Sequence, residues 1–87
     1  MLRIHGHARD HGVPDDVILT TFRNAVESAS YEHADGTVRW VMMSVDDTGR
    51  AYEAVWVELG GDDYLAIHCQ PLRKSTIKLI RQLREGR

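Results

Sequence analysis

Five histidines stand in a chain of 87 residues, and imidazole is the side chain best suited to moving a proton near neutral pH. His68 lies in an otherwise apolar stretch with Leu65, Ala66 and Ile67, and Arg73 follows beyond Pro71. An imidazole on a strand and a guanidinium at a helix start can converge on one phosphate. The guanidinium would hold two phosphate oxygens and stabilise a pentacoordinate transition state. RNA cleavage requires little more, because the substrate brings its own 2′-hydroxyl nucleophile. Plainer roles exist for both: a satisfied, half-buried histidine and a surface ion pair. Glu53 shares strand parity with Val55 and Val57. That parity turns it toward the core, where a buried acid needs a partner. It can orient a histidine or pair with an arginine, or sit near a strand end where water reaches it.

His5, His7 and His11 form an H-x-H-x3-H pattern. If residues 7–11 make one helical turn, His7 and His11 share a face at a spacing suited to a metal. His5 could join only if the chain bent back, and no acid or cysteine is placed to complete the shell. No metal or other cofactor is therefore expected. Capping or hydrogen-bonding surface histidines are the plainer reading for His5 and His33.

Charge is unevenly distributed. Residues 1–70 hold five Lys/Arg against twelve Asp/Glu, or −7, whereas residues 71–87 hold six against one, or +5. An acidic body with a basic tail can present one positive surface to a polyanion. Lys74, Lys78 and Arg81 would supply backbone contacts to nucleic acid. The simpler account is a C-terminal helix carrying cations near its C-terminal end.

These residues must be positioned by local structure. Pro14 followed by Asp15 and Asp16 reads as a helix start. Ile18, Phe22, Ala25, Val26 and Ala29 recur at three and four, which predicts a helix over about 14–28. Residues 29–33 are a candidate short strand. Asp35-Gly36, Asp46-Asp47-Thr48-Gly49 and Gly60-Gly61-Asp62-Asp63 are turn signals. They delimit strands at 37–45, 50–59 and 64–69. On the last strand, Leu65 and Ile67 are expected on one face, with Tyr64, Ala66 and His68 on the other. Helical period returns with Ile77, Ile80 and Leu83, predicting a helix over about 74–85. The expected architecture is one α+β domain over 1–87: a three- to four-stranded antiparallel meander with an N-terminal and a C-terminal helix.

A chain of this length has room for one core. The single cysteine, Cys69, allows no intramolecular disulfide, which fits a reducing, cytoplasmic setting. No apolar run approaches the roughly 20 residues of a membrane helix, and no secretory leader is expected.

Several short motifs carry a resemblance. His7-Ala8-Arg9-Asp10-His11-Gly12-Val13 precedes the first helix. Asp47-Thr48-Gly49-Arg50 leads to Glu53-Ala54-Val55. The last strand runs as Ile67-His68-Cys69-Gln70-Pro71-Leu72-Arg73. Together they resemble BrnT-type toxins of the RelE/ParE-like superfamily, over most of the chain. The resemblance implies a RelE-like fold and a metal-independent endoribonuclease that inhibits translation, acting on RNA either free or on the ribosome. It also implies neutralisation by a DNA-binding cognate antitoxin. By motif, His11 and Arg73 carry over as catalytic positions, with His7 and His68 added. Two alternatives stand beside this reading: a non-catalytic protein-binding module of the same fold, and a toxin acting on another target such as gyrase.

Overall fold

A computed structural model describes residues 1–86. Arg87, counted above with the basic tail, lies outside the described residues. The elements run β1 (Leu2–Ile4), a 3-10 turn (Gly6–Arg9), α1 (Asp15–Arg23), β2 (Glu27–Glu32), β3 (Val38–Val45), β4 (Ala51–Gly60), β5 (Asp63–Pro71) and α2 (Lys74–Glu85). The five strands form one mixed sheet in the order β1-β5-β4-β3-β2. The expected α+β class holds, and β2 to β5 pair antiparallel in sequence order as a four-stranded meander.

Three features depart from the sequence expectation. The first is β1, which adds a fifth strand parallel to β5 with Leu2 opposite Tyr64 and Ile4 opposite Ala66. Leu2 and Ile4 pack against the core beneath α1, and no turn signal marks a strand whose partner lies some sixty residues away. The second is α1, which ends at Arg23 rather than near residue 28. Continuing the helix would have buried mainly small residues, Ala25 and Ala29. Instead residues 27–32 gain a six-residue ladder with β3, and Val26 donates its backbone N–H to the Met43 carbonyl at 2.8 Å.

The third is a bulge. Val55 pairs with His68 but Trp56 pairs with Ala66, so Ile67 is an extra residue on β5. An extra residue reverses side-chain parity beyond it. Ala66 and His68, expected on one face, therefore lie on opposite faces. Ala66 joins Ala54, Trp56, Cys69 and Ile18 in the core beneath α1. His68 turns to the other face with Val55 and escapes the core.

Each face of the sheet carries a helix. On one, α1 and the 3-10 turn cover Met42, Tyr52, Ala54 and Trp56. Trp56 is fully buried, and its indole N–H donates to Thr21 Oγ1 at 3.0 Å, so its polar edge carries no desolvation debt. On the other, α2 packs on β2 and β3 through Ile80, Ala29 and Val41, with Met43, Tyr31 and Leu83 around them. Its end is tied to β2 by Arg84 and Glu27, 3.5 Å apart. No described helix is long and apolar enough to cross a membrane.

Candidate functional site

The site is built around Glu53. It lies on β4 directly opposite Gln70 of β5, on the face that α2 covers, and is only 3% exposed. A carboxylate so placed must be satisfied, and α2 satisfies it. Oε1 accepts from Thr76 Oγ1 at 2.6 Å and from the Arg73 backbone N–H at 2.9 Å. The Arg73 side chain adds Nε to Oε1 at 3.2 Å and Nη2 to Oε2 at 2.9 Å, a two-pronged pairing. Arg73 is the N-cap of α2 and has no side-chain cap of its own. Glu53 thus caps the helix from across the sheet and places a negative charge at its positive end. Burial pushes the Glu53 carboxyl up, but the hydrogen bonds from the Arg73 side chain, Thr76 and the Arg73 backbone outweigh it, and the net direction is down. Glu53 is ionised at neutral pH.

His68 is the third residue on this carboxylate, with Nε2 at 3.3 Å from Oε2. The bulge at Ile67 brings it there. His11, in the segment after the 3-10 turn, meets His68 edge-on with ring centroids 5.6 Å apart. Gln70 lies between the clusters: with its amide oxygen toward the Arg73 guanidinium, its nitrogen sits 3.2 Å from His11 Nε2. Arg73 Nη1 makes no hydrogen bond to a described residue, and the Arg73 side chain is 59% exposed. One nitrogen of the fork therefore remains free for an anion while the rest is anchored.

The structure brings together four of the residues singled out from sequence: His11, Glu53, His68 and Arg73. His7 is not among them. Its Nδ1 lies 3.3 Å from Asp10 Oδ2, its ring stacks on His5 at 4.9 Å, and its side chain is 77% exposed. His5 accepts the His7 backbone N–H through Nδ1 at 3.1 Å. The H-x-H-x3-H pattern is thus split between two places. Among the described residues no group of three or more His, Cys, Asp or Glu is placed to hold a metal.

Lys74, Lys78 and Arg81 are exposed on α2, whose opposite side buries Thr76 and Ile80. Spaced i, i+4 and i+7, they form a row about 10 Å long at the helical rise, beginning beside Arg73. Because Glu53 neutralises Arg73, this row carries the net positive charge at the site.

Two residues escaped the sequence reading. Gln70 carries the strand parity of His68, two residues on, and that spacing was the available signal. Thr76 carried none, since a threonine in a helix's first turn is ordinary. Cys69, between His68 and Gln70, faces the α1 core opposite Ala54. Burial, then the Glu53 charge, pushes its thiol up to about 11, so it is no thiolate nucleophile near neutrality.

The arrangement has two proton-carrying rings, a fixed cation with one free nitrogen, and a carboxylate that orients both a ring and the cation. It can bind an oxyanion and move a proton beside it. No family model matches this chain, and no curated protein shows a significant match to it.

Proposed function

We propose that this chain is the toxin half of a bacterial type II toxin–antitoxin pair with a RelE-like fold, acting as a metal-independent endoribonuclease that inhibits translation. The observation that carries the reading is the meeting of His68 and Arg73 on one buried carboxylate, with His11 against His68. These residues come from the segment before α1, from β5 and from the start of α2; the carboxylate holds His68 and Arg73, and His11 lies against His68 and Gln70, so the groups are together before a substrate arrives. A phosphodiester at this place meets the free Arg73 nitrogen and two imidazoles. The 2′-hydroxyl of RNA supplies the nucleophile, so the protein has only to remove a proton and stabilise charge. Lys74, Lys78 and Arg81 extend the contact along the RNA backbone. In the cell, an acidic, partly disordered segment of a DNA-binding antitoxin would cover the same cations.

A second reading is favoured by the clamp itself. Glu53, Arg73 and Thr76 fasten α2 to the sheet, which is what a non-catalytic module presenting that helix to a protein would also need. Induced expression in a bacterial host separates the two. The toxin reading expects growth arrest that is relieved by the neighbouring gene product and lost in Arg73→Ala. No arrest, together with no RNA cleavage by purified protein, would favour the binding module.

A further inference from the structure

The hydrogen-bond partners of the two rings decide which histidine takes the proton. Ionised Glu53 can only accept, so His68 Nε2 at 3.3 Å from Oε2 carries a hydrogen. In the neutral ring, His68 Nδ1 is then the lone pair. No described residue hydrogen-bonds to it, and every buried side-chain nitrogen and oxygen among the described residues has a partner. Nδ1 therefore reaches solvent, which is where a substrate would be.

His11 is set differently. A guanidinium only donates, so the Gln70 amide oxygen must face Arg73, where it lies 3.2 Å from Nη2. The amide nitrogen then faces His11 Nε2 at 3.2 Å. That nitrogen only donates, so His11 Nε2 is an acceptor and the ring proton resides on Nδ1.

We propose that Gln70 is a positioning residue: anchored by Arg73, it holds His11 as the Nδ1–H tautomer, a hydrogen-bond donor toward phosphate, and leaves His68 Nδ1 as the proton acceptor of the pair. This deepens the ribonuclease reading and rests on it for what the rings do to RNA; the tautomers themselves stand apart from it. In the step, His68 Nδ1 takes the 2′-hydroxyl proton as the 2′-oxygen bonds to phosphorus. The bond from phosphorus to the 5′-oxygen breaks, and that oxygen recovers the proton from the His68 imidazolium, which Glu53 stabilises. The products are a 2′,3′-cyclic phosphate and a 5′-hydroxyl, with no water consumed and no redox change. His11 Nδ1–H and Arg73 Nη1 hold the non-bridging oxygens.

The test is imidazole 15N NMR on the full chain, with RNA cleavage measured alongside. The expected spectrum shows His11 protonated on Nδ1 and His68 on Nε2. Gln70→Ala releases His11 toward the Nε2–H form, leaves His68 unmoved, and lowers kcat on the order of 10²-fold, the scale of one lost preorganised donor, with KM little changed. His11 protonated on Nε2 in the wild type, or unmoved in a folded Gln70→Ala, overturns the assignment. Gln70→Glu gives a second probe should the alanine variant unfold: a carboxylate still meets Arg73 but must draw a proton to His11 Nε2. His11 keeping Nε2 bare in that variant would also overturn it. If the wild type shows the expected tautomers but cuts no RNA, the ribonuclease reading falls and the Gln70 assignment stands. If it cuts RNA with His11 protonated on Nε2, the reverse holds.

Discussion

Glu53 of β4 accepts a 2.6 Å hydrogen bond from Thr76 in the first turn of α2, so one buried carboxylate ties the sheet to the helix that carries Arg73. Removing it should cost both stability and geometry. Hydrogen bonds to a charged group contribute roughly 1.5–3 kcal/mol each, and a lost partner of a buried pair costs about 3–5 kcal/mol. Arg73 is well exposed and can return to water, so Glu53→Ala should destabilise by about 3 kcal/mol. Thr76→Val, which removes one such bond, should cost about 1.5–3 kcal/mol. Urea denaturation followed by circular dichroism checks both; a Glu53→Ala variant as stable as the wild type would remove the clamp from the account.

The same carboxyl sets a pH dependence. Its folded pKa lies below the ordinary 4.5, so its contribution is fully present above that value. It is lost as pH falls through the folded pKa, when the buried carboxyl takes up a proton. Asp15, Asp35, Asp46 and Asp63 are also held low by their partners, so acid weakens the fold at several places. Subtracting a Glu53→Gln variant isolates Glu53. The stability gap between wild type and variant should narrow as pH falls below about 4.5, and a gap that is constant from neutral to acid would contradict this.

Much of the fold was legible because period and turn chemistry agreed. Asp46 accepts from Thr48 and Arg50 backbone N–H groups at 2.9 Å, closing the turn at Gly49, whose φ of 84° suits glycine. The 74–85 helix was readable from Ile77, Ile80 and Leu83. The end of α1 was not, because Ala25, Val26 and Ala29 continue a helical pattern while offering little area to bury. The bulge was also invisible, since nothing in Leu65-Ala66-Ile67-His68 shows which residue will be unpaired. It determines that His68 meets Glu53 rather than Trp56. Of the site, Glu53, His68 and Arg73 stood out by residue type and spacing, and His11 through the motif resemblance. Gln70 did not, because its role exists only once Arg73 and His11 are on either side of it.

The row on α2 makes a separate prediction. If Lys74, Lys78 and Arg81 contact an RNA backbone, replacing all three with alanine should weaken binding. It should also flatten the salt dependence by about 0.7 in log–log slope per cation for single-stranded RNA. Filter binding between low and physiological salt measures this. These side chains are exposed, so folding stability should hold. An unchanged slope would remove the row from the interface.

The ribonuclease account is tested most directly by single-turnover cleavage of RNA by purified protein with EDTA present, comparing wild type with folded His68→Ala. The prediction is metal-independent cleavage to 2′,3′-cyclic phosphate ends, slowed about 10²–10⁴-fold in the variant, as expected for loss of a positioned base. Cleavage by the variant at the wild-type rate, or no cleavage by the wild type at all, would contradict it.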